Sequence, residues 1–320
     1  MGEPATHGET VRTLQDVFTE AHERDEIARQ YLRQGEIRVN LPGLGEQTAL
    51  YTHIDPPASR ESSREEPKPP IFLIPGVSND IDCVGALAQE IAYAGRSVVV
   101  VGFPESFMGS TTESFAKAVK DTPNYGPHTD FYKESIDALL GSDSDFELWG
   151  FSTGAPISAE ILNDPRFQER VNEAVLLSPA SSVDQTSMQI NTGTASEGAR
   201  LLKRFSTLGK YTFSMGRNKN VEQQPQEQKK RRGEIFKSLM KKVQTKTASW
   251  EGAKVKDGGN IVVISGGKDQ ITKSYRVEDD FRKNPQMEVV HLPNAYHSTP
   301  LTEPQETVEK IFAQQEEFLH

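Results

Sequence analysis

Short runs of apolar residues recur along the chain from residue 71 onward. They read IFLIPG, RSVVVVGFP, FELWGFS, EAVLLSP, NIVVISGG and EVVHLP, and each ends in Gly, Ser or Pro. A run without polar alternation is buried on both faces, which is typical of parallel strands covered by helices. Helical patterns lie between the runs and after the last one, at residues 82–94, 129–140, 155–169, 274–283 and 303–319. This alternation predicts an α/β protein with one mostly parallel sheet.

The first seventy residues follow different patterns. Residues 10–34 carry apolar side chains at helical spacing and Gly35 ends the pattern, which predicts an N-terminal helical extension over residues 1–35. The segments EIRVNL and TALYTHI, joined by PGLGEQ, predict a hairpin. The stretch DPPASRESSREEPKPP is rich in Pro, Ser and charge, and it predicts a solvated linker.

Charge is distributed unevenly along the chain. The formal net charge is −10, but residues 181–260 contain sixteen Lys and Arg against seven Asp and Glu, which gives +9 there and −19 elsewhere. One predicted helix in this segment, KKRRGEIFKSLMKKV, has an apolar face made of Ile235, Phe236, Leu239, Met240 and Val243. Two interpretations stay open. The segment is a lid that attracts anionic substrates or an anionic membrane surface, or the long basic stems merely cover apolar surface, which we favour.

Composition narrows the class of protein. The single cysteine, Cys83, forms no internal disulfide, and the N-terminal sequence lacks the basic and apolar regions of a secretory signal. No apolar stretch approaches the roughly 20 residues that span a bilayer, so we expect a cytoplasmic protein. We expect no metal and no cofactor, because no cluster of His, Cys and carboxylates has the spacing of metal ligands. The acidic body argues against nucleic-acid binding.

The stretch FELWGFSTGAP places Ser152 between Gly150 and Gly154, where a predicted strand meets a predicted helix. A G-x-S-x-G pattern by itself arises by chance in roughly one of ten such chains. A sharp strand-to-helix turn, however, strains the residue at its apex and leaves no room for a Cβ two positions away on either side. Such a turn lifts the serine hydroxyl above the sheet edge, beside helix N–H groups that can stabilise an oxyanion.

A serine nucleophile needs a base, and the base needs an orienting carboxylate. Two later loops at the same edge of the sheet supply candidates for both. Asp269 lies just beyond the strand NIVVISGG, and His297 lies just beyond the strand EVVHLP. Asp184, which follows EAVLLSP, is a second candidate for the acid, and we favour Asp269.

The chain resembles the α/β-hydrolase family in four motifs, IPGVS, GFSTGA, SGGKD and NAYHS, and in their order. The resemblance runs from about residue 36 to the end, apart from the basic segment. It implies a mostly parallel central sheet of about eight strands covered by helices. The core would comprise residues 36–180 and 261–320, and residues 181–260 would form an inserted helical cap or lid.

The same resemblance assigns roles to five residues. It implies that Ser152 is the nucleophile, Asp269 the acid and His297 the base. The oxyanion hole would be formed by the N–H groups of Val77 and Thr153. Many relatives have His where this chain has Pro75, so a side chain that braces this loop is lost, while the backbone donor remains.

The resemblance implies a serine hydrolase that cleaves a carboxylic ester through an acyl-enzyme. It is nearest to the lipase, esterase and aminopeptidase-like branch with an inserted cap. The expected partner is a small-molecule acyl substrate. Anionic or lipid-like substrates, a transient contact with a membrane surface, and the oligomeric state are left open. Two alternatives also stay open: an acyltransferase or thioesterase with the same triad, and a non-catalytic binding protein of this fold.

Overall fold

The structure is a computed structural model that describes residues 31–57, 68–77, 81–106, 109–208 and 225–318. Its eight strands form one sheet in the order β1-β2-β4-β3-β5-β6-β7-β8. The strands are β1 (Leu32–Leu41), β2 (Gly45–Ile54), β3 (Ile71–Ile74), β4 (Val98–Val101), β5 (Phe146–Phe151), β6 (Val171–Leu177), β7 (Ile261–Gly266) and β8 (Met287–Leu292). Only β2 runs against its neighbours. The predicted mostly parallel sheet is therefore confirmed.

The burial of each strand follows its sequence pattern. Every residue of β3, β4, β5 and β7 is buried, because helices cover both faces of the sheet there. The edge strand β1 alternates between buried and exposed positions in its second half, as a half-solvated antiparallel strand does. β8, at the other edge, is mostly half-buried.

Helices pack on both faces of the sheet. They are α1 (Ile81–Tyr93), α2 (Glu113–Asp121), α3 (Gly126–Leu140), α4 (Gly154–Leu162), α5 (Pro165–Gln168), α6 (Ser187–Leu208), α7 (Gln226–Val243), α8 (Glu278–Phe281), α9 (Thr299–Thr302) and α10 (Pro304–Phe318). One face packs on α1 and α10 around Trp149, and the other packs on α2, α3 and α4 around Phe131. Within the described ranges, no helix combines the length and apolarity needed to cross a bilayer.

The chain reverses its direction across the sheet between β3 and β5. β4 lies on one side of β3, and β5 to β8 follow on the other side. Loops that leave the carboxyl ends of β3 and β5 therefore diverge, and in open α/β sheets this point opens a crevice that binds ligands. Residues 74–77 of the motif IPGVS lie at the end of β3, and the motif GFSTGA lies at the end of β5.

Several predicted boundaries differ from the structure. The predicted helix over residues 10–34 is wrong at its end, because β1 begins at Leu32 and pairs Leu32 with Ile54; its residues before 31 lie outside the described ranges. The hairpin is confirmed, with longer strands than predicted. The predicted helix 155–169 is divided, because the Asp164 side chain accepts the Arg166 N–H and starts α5 anew. Residues 274–283 form a 3-10 turn followed by α8.

The patterns above do not predict α2, although its sequence carries a signal. Thr112 is its N-cap, and its hydroxyl accepts the N–H of Phe115 at 3.1 Å. Phe115, Ala116 and Val119 then form a buried stripe at helical spacing. The capping residue followed by this stripe is enough to predict the helix.

Candidate functional site

Ser152 lies at the turn between β5 and α4 in a left-handed backbone conformation, with φ of 55°. Its N–H donates to the carbonyl of Leu177 at 2.8 Å, and its carbonyl accepts from the N–H groups of Ala155 and Ala180 at 3.2 and 3.1 Å. A left-handed conformation is costly for a residue with a Cβ and persists only where the surroundings impose it. These three hydrogen bonds impose it here, as the sequence predicts for the apex of a sharp turn.

Gly150 and Gly154 stand where the backbone leaves no room for a side chain. A Cβ on Gly154 would lie 2.2 Å from the carbonyl oxygen of Ile74, and one on Gly150 would lie 2.6 Å from the carbonyl oxygen of Gly154. Both obstacles are backbone atoms, which cannot rotate away as a side chain can. The close approach also brings the loop after β3 next to the start of α4.

The structure brings together the three residues predicted for the triad. Ser152 Oγ lies 3.0 Å from His297 Nε2, and His297 Nδ1 lies 2.9 Å from Asp269 Oδ2. All three are buried, and Asp269 is fully enclosed. Because a carboxylate only accepts hydrogen bonds, Nδ1 carries the proton and Nε2 is left to accept the Ser152 hydroxyl. The ring of Phe151 packs 5.3 Å from the imidazole.

Asp269 is held as an anion by donors from its own loop. Its Oδ1 accepts the N–H groups of Ile271 and Thr272 at 2.8 and 2.9 Å, and its Oδ2 accepts the Thr272 hydroxyl at 2.6 Å. Burial alone raises the pKa of this carboxyl, but the charge of His297 and the hydrogen bonds outweigh it, so the pKa lies below its usual value. The carboxylate is therefore ionised near neutral pH.

The pKa of His297 is shifted upward. Burial alone lowers it, but the charge and hydrogen bond of Asp269 raise it, and the charge of Glu197 adds to the rise. The net result is a pKa above the usual 6.5. The site thus stabilises the protonated imidazole, the form that a histidine adopts after it takes a proton from a neighbouring hydroxyl.

The two predicted oxyanion donors lie beside this turn. Thr153 directly follows Ser152, and Val77 lies in the loop that approaches Gly154 through Pro75. Among the residues that the structure describes, neither N–H has a hydrogen-bond acceptor. The N-terminus of α4 adds partial positive charge at the same place. The role of the two N–H groups as an oxyanion hole stays a prediction.

Comparison with known proteins gives matches in structure alone. No family model matches the chain, and no curated protein matches its sequence. A membrane phospholipase A, described as a bacterial virulence factor, is 15% identical with a TM-score of 0.60 and is matched over 94% of this chain and 92% of its own. A thermophilic esterase from Thermogutta terrifontis is 15% identical, with a TM-score of 0.52 and coverage of 89% and 99%. A thioesterase domain from the curacin biosynthetic pathway is 14% identical, with a TM-score of 0.56 and coverage of 88% and 99%.

The chain has the α/β-hydrolase fold. At these low identities the likeness establishes the fold alone, and the chemistry must be argued from the residues of the site.

The sequence offers two candidates for the acid beside His297, Asp269 and Asp184. Asp184 is exposed and accepts the N–H of Lys246 at 2.8 Å. Asp269 occupies the position beside the imidazole. Asp269, which we favour from the sequence, is thus the one of the two that contacts His297, and its role as the acid stays a prediction.

Glu197 of α6 is a further buried residue at the site that the sequence analysis missed. It is 4% exposed, and it accepts the N–H of His297 at 3.2 Å, the N–H of Ser298 at 3.3 Å and the hydroxyl of Ser298. In the sequence it is one of seven acids in a basic segment. The contact joins residues a hundred positions apart, so no local pattern indicates it.

The helix that carries Glu197 lies over the loops of the site. A Cβ on Gly193 of α6 would be 2.4 Å from the carbonyl oxygen of Gln270, next to Asp269. Ile190 of α6 is fully buried and packs with Ala180 and with Val243 of α7. Within the basic segment, α6 is thus the helix that contacts the acid loop and the histidine loop.

The basic helix α7 packs on α2. Its residues Ile235, Leu239 and Val243 are buried as predicted, but Phe236 is 40% exposed, so its assignment to the buried face is wrong. Phe236 is one position on from Ile235, and the turn of the helix carries it out of the contact with α2.

Three basic side chains of α7 are bound to backbone carbonyls. Arg231 donates to Thr111, Arg232 donates to Glu105, and Lys242 donates to Val119. Burial lowers the pKa of Lys242 to about 8, against the opposing charges of Glu160 and Glu105. Part of the positive charge of the segment therefore serves to attach the helix.

Proposed function

We propose that the protein is a serine hydrolase that cleaves a carboxylic ester through an acyl-enzyme on Ser152. The observation that carries the proposal is the hydrogen-bonded series from Ser152 through His297 to Asp269, at a left-handed turn beside two N–H donors. The similarity in fold to an esterase, a phospholipase and a thioesterase supports it. The proposal follows from the site, since one fold hosts many functions.

In the first half of the reaction, Ser152 Oγ attacks the ester carbonyl carbon while His297 Nε2 takes the hydroxyl proton. The carbonyl oxygen becomes an oxyanion, which the N–H groups of Thr153 and Val77 stabilise. The intermediate collapses, the bond to the alcohol oxygen breaks, and His297 returns its proton to that oxygen. The acyl group stays on Oγ, and Asp269 stabilises the imidazolium throughout.

In the second half, water replaces the alcohol. His297 takes a proton from the water as its oxygen attacks the acyl carbon, and the same N–H groups bind the new oxyanion. The bond to Ser152 Oγ then breaks, and Oγ recovers its proton from His297. The sum is ester plus water giving acid plus alcohol, with the enzyme unchanged.

A fluorophosphonate probe followed by a panel of p-nitrophenyl esters tests this proposal. We expect covalent labelling and ester turnover by the wild type, and loss of both in Ser152→Ala with an unchanged melting temperature. Loss of a triad nucleophile costs several orders of magnitude in rate. The matched control is Ser178→Ala, because Ser178 is also a buried serine with positive φ. A wild type that neither labels nor turns over any ester would favour the binding-protein alternative.

The same panel separates the related enzyme classes. Thioesters and amides replace the esters in one arm, and an added alcohol acceptor replaces part of the water in another. Hydrolysis yields only the free acid, whereas acyl transfer yields a new ester. We expect the free acid to be the main product unless the added alcohol is concentrated enough to compete with water for the acyl-enzyme.

For the substrate, we propose that α6 and α7 form an inserted cap and, in contrast to the interpretation favoured from the sequence, that its exposed lysines favour anionic or lipid-like acyl compounds. Lys229, Lys230, Lys237 and Lys241 are exposed on α7 around the partly exposed Phe236. Positive charge on the cap of an acidic body would raise the local concentration of anions. Arg231 and Arg232 are left out of the test because they bind carbonyls of the body.

The test replaces Lys230, Lys237 and Lys241 with Gln. Turnover of a neutral acetate ester should stay within a few-fold of wild type, and kcat/KM for an anionic ester should fall. The difference should shrink at 1 M salt, where the Debye length is about 3 Å. Equal effects on both esters at every salt concentration would show that these lysines do not select the substrate.

A further inference from the structure

Glu197 contributes a buried carboxylate from the cap to the loop that carries the histidine. All three of its hydrogen bonds named above come from two consecutive residues, His297 and Ser298. Ser298 is the N-cap of α9 and His297 precedes it, and an N–H group at or before the start of a helix has no acceptor within that helix. The Glu197 carboxylate from α6 is the acceptor for both N–H groups.

The imidazole of His297 is held by hydrogen bonds both to its ring and to the backbone of the same residue. The backbone of His297 is anchored by Glu197 on one side, and its ring is anchored by Asp269 and Ser152 on the other. The side chain of His297 spans only one Cβ between these anchors. A shift of the backbone would therefore move Nε2 away from Ser152 Oγ, and misplacement by about 1 Å can cost roughly a hundredfold in rate.

We infer that Glu197 is a positioning residue, through which the cap helix α6 holds the catalytic base in place. This inference rests on the proposed function for its effect on the rate, although the contact itself does not. The cap would then position a triad residue in addition to lying over the loops of the site.

The charge of Glu197 acts in the same direction as its hydrogen bonds. The charged groups that raise the pKa of His297 are Asp269, from the loop after β7, and Glu197, from α6. Both anions favour the imidazolium, so loss of either should lower the pKa of His297. Glu197 differs from Asp269 because it bonds to the backbone and leaves the ring tautomer unaltered.

The experiment measures the pKa of His297 by NMR in ¹⁵N-labelled full-length protein, and kcat and KM across the pH range, in Glu197→Gln and Glu197→Asp. Gln keeps an acceptor oxygen but removes the charge, so we expect the pKa of His297 to fall. The acid limb of kcat/KM should move to lower pH by the same amount. We expect kcat to fall about tenfold or more with little change in KM, and Asp to recover part of both effects.

The matched control is Glu105→Gln. Glu105 is another buried acid, 7% exposed, which pairs with His128 and whose carbonyl accepts from Arg232 of α7. Its loss should lower the melting temperature but leave the pKa of His297 and the pH profile unchanged. A merely structural role for Glu197 would give the same pattern in Glu197→Gln, and that result would overturn the inference.

The NMR arm separates this inference from the proposed function. If no variant and no wild type turns over an ester, the proposed function fails, and the pKa of His297 still decides whether Glu197 acts on it. If Glu197→Gln does not fold, Glu197→Asp decides instead, because it keeps the charge but shortens the side chain by one methylene and so weakens the hydrogen bond to the His297 N–H. A fall in kcat in Glu197→Asp with little change in KM supports the inference, and a kcat and a His297 pKa equal to those of the wild type overturn it.

Discussion

The carboxyl ends and the amino ends of the parallel strands, here called the carboxyl edge and the amino edge of the sheet, both bury charged side chains. The pKa of a buried carboxyl group is shifted in opposite directions at these two edges. At the carboxyl edge, Asp269 receives N–H and O–H donors, and its pKa lies below the usual value. At the amino edge, Glu173 lies near Glu147 and is partly shielded from water. Burial and then the charge of Glu147 raise the pKa of Glu173 to about 7.

The difference lies in the donors. Glu147 is paired with Arg96 at 2.5 Å, whereas Glu173 accepts a hydrogen bond from the neutral amide of Gln315. Burial penalises every carboxylate, and only donors or opposite charges can overcome the penalty. The carboxyl edge thus keeps an anion ready for chemistry, whereas the amino edge holds a carboxyl that takes up a proton near neutral pH.

The largest expected effect comes from Asp269→Asn. The amide can hold the imidazole in the wrong tautomer, so we expect ester turnover to fall by roughly 10²- to 10⁴-fold, measured as kcat at a pH well above the His297 pKa. Asp184→Asn is the control, because Asp184 bonds to Lys246 at the surface, and it should change turnover little. The reverse ranking of the two variants would assign the acid to Asp184.

The next largest effect is expected from replacing a glycine by Ala at each edge, Gly154 at the carboxyl edge and Gly259 at the amino edge. A Cβ on Gly154 would lie 2.2 Å from the carbonyl oxygen of Ile74, and one on Gly259 would lie 1.8 Å from that of Asn172. Each Ala variant should lower the free energy of unfolding by about 1–3 kcal/mol, measured by urea unfolding. Only Gly154→Ala should also lower kcat in the folded protein, because only that clash displaces Ser152.

If both glycine variants lowered kcat equally, a change at the amino edge would also disturb Ser152 at the carboxyl edge, and the two edges would not be independent. Gly233→Ala is the control for the substitution itself. Nothing lies within 4 Å of a Cβ at Gly233, which is in the interior of α7, so this change should stabilise the protein by about 0.5–1 kcal/mol.

The pH dependence of the rate should locate the base at the carboxyl edge. His297 acts when it is neutral and its pKa lies above 6.5, so kcat/KM should rise with pH through a midpoint above 6.5. Below that midpoint the value should fall about tenfold per pH unit, as a single essential base requires. A midpoint below 6.5 would mean that Asp269 and Glu197 do not stabilise the imidazolium.

The smallest effect concerns Glu173→Gln. Between the ordinary value near 4.5 and about 7 the folded state holds more protons on Glu173 than the unfolded state does, so stability falls as pH rises through this window. The melting temperature of the Gln variant should depend less on pH between those values than that of the wild type. Above pH 7 the melting temperature of the variant should be the higher of the two. Its kcat should match wild type, since the residue lies at the opposite edge from Ser152.

The sequence predicts most of what the hydrophobic pattern controls. Strands β3 to β8 follow from short apolar runs, because strands packed between helices carry few polar positions; the exceptions, such as Glu147 of β5 and Glu173 of β6, lie near the amino ends of their strands. Ser152, Asp269 and His297 follow from their places after strands, because parallel strands bring their carboxyl ends to one edge. Phe236 was misplaced because the pattern alone does not say which side of an apolar stripe faces its neighbour.

The remaining features depend on contacts between distant segments. Glu197 is ordinary by composition, and its role exists only because α6 crosses the histidine loop. In the sequence Arg231 and Arg232 belong to a basic run typical of a solvated helix face, but in the structure they donate to the carbonyl oxygens of Thr111 and Glu105. Leu32 satisfies both a helical and a strand pattern, and its partner Ile54 decides between them.

The contact between α6 and the histidine loop also limits how this molecule could be rebuilt. Segments inserted between the sixth and seventh strands are natural places for grafting a new specificity onto an old scaffold. A graft without an acceptor at the place of Glu197 would leave the N–H groups of His297 and Ser298 and the Ser298 hydroxyl buried without it, at about 1–3 kcal/mol for each unsatisfied group. Chimeras of this scaffold should therefore stay active only when the transplanted segment brings its own acceptor to that point.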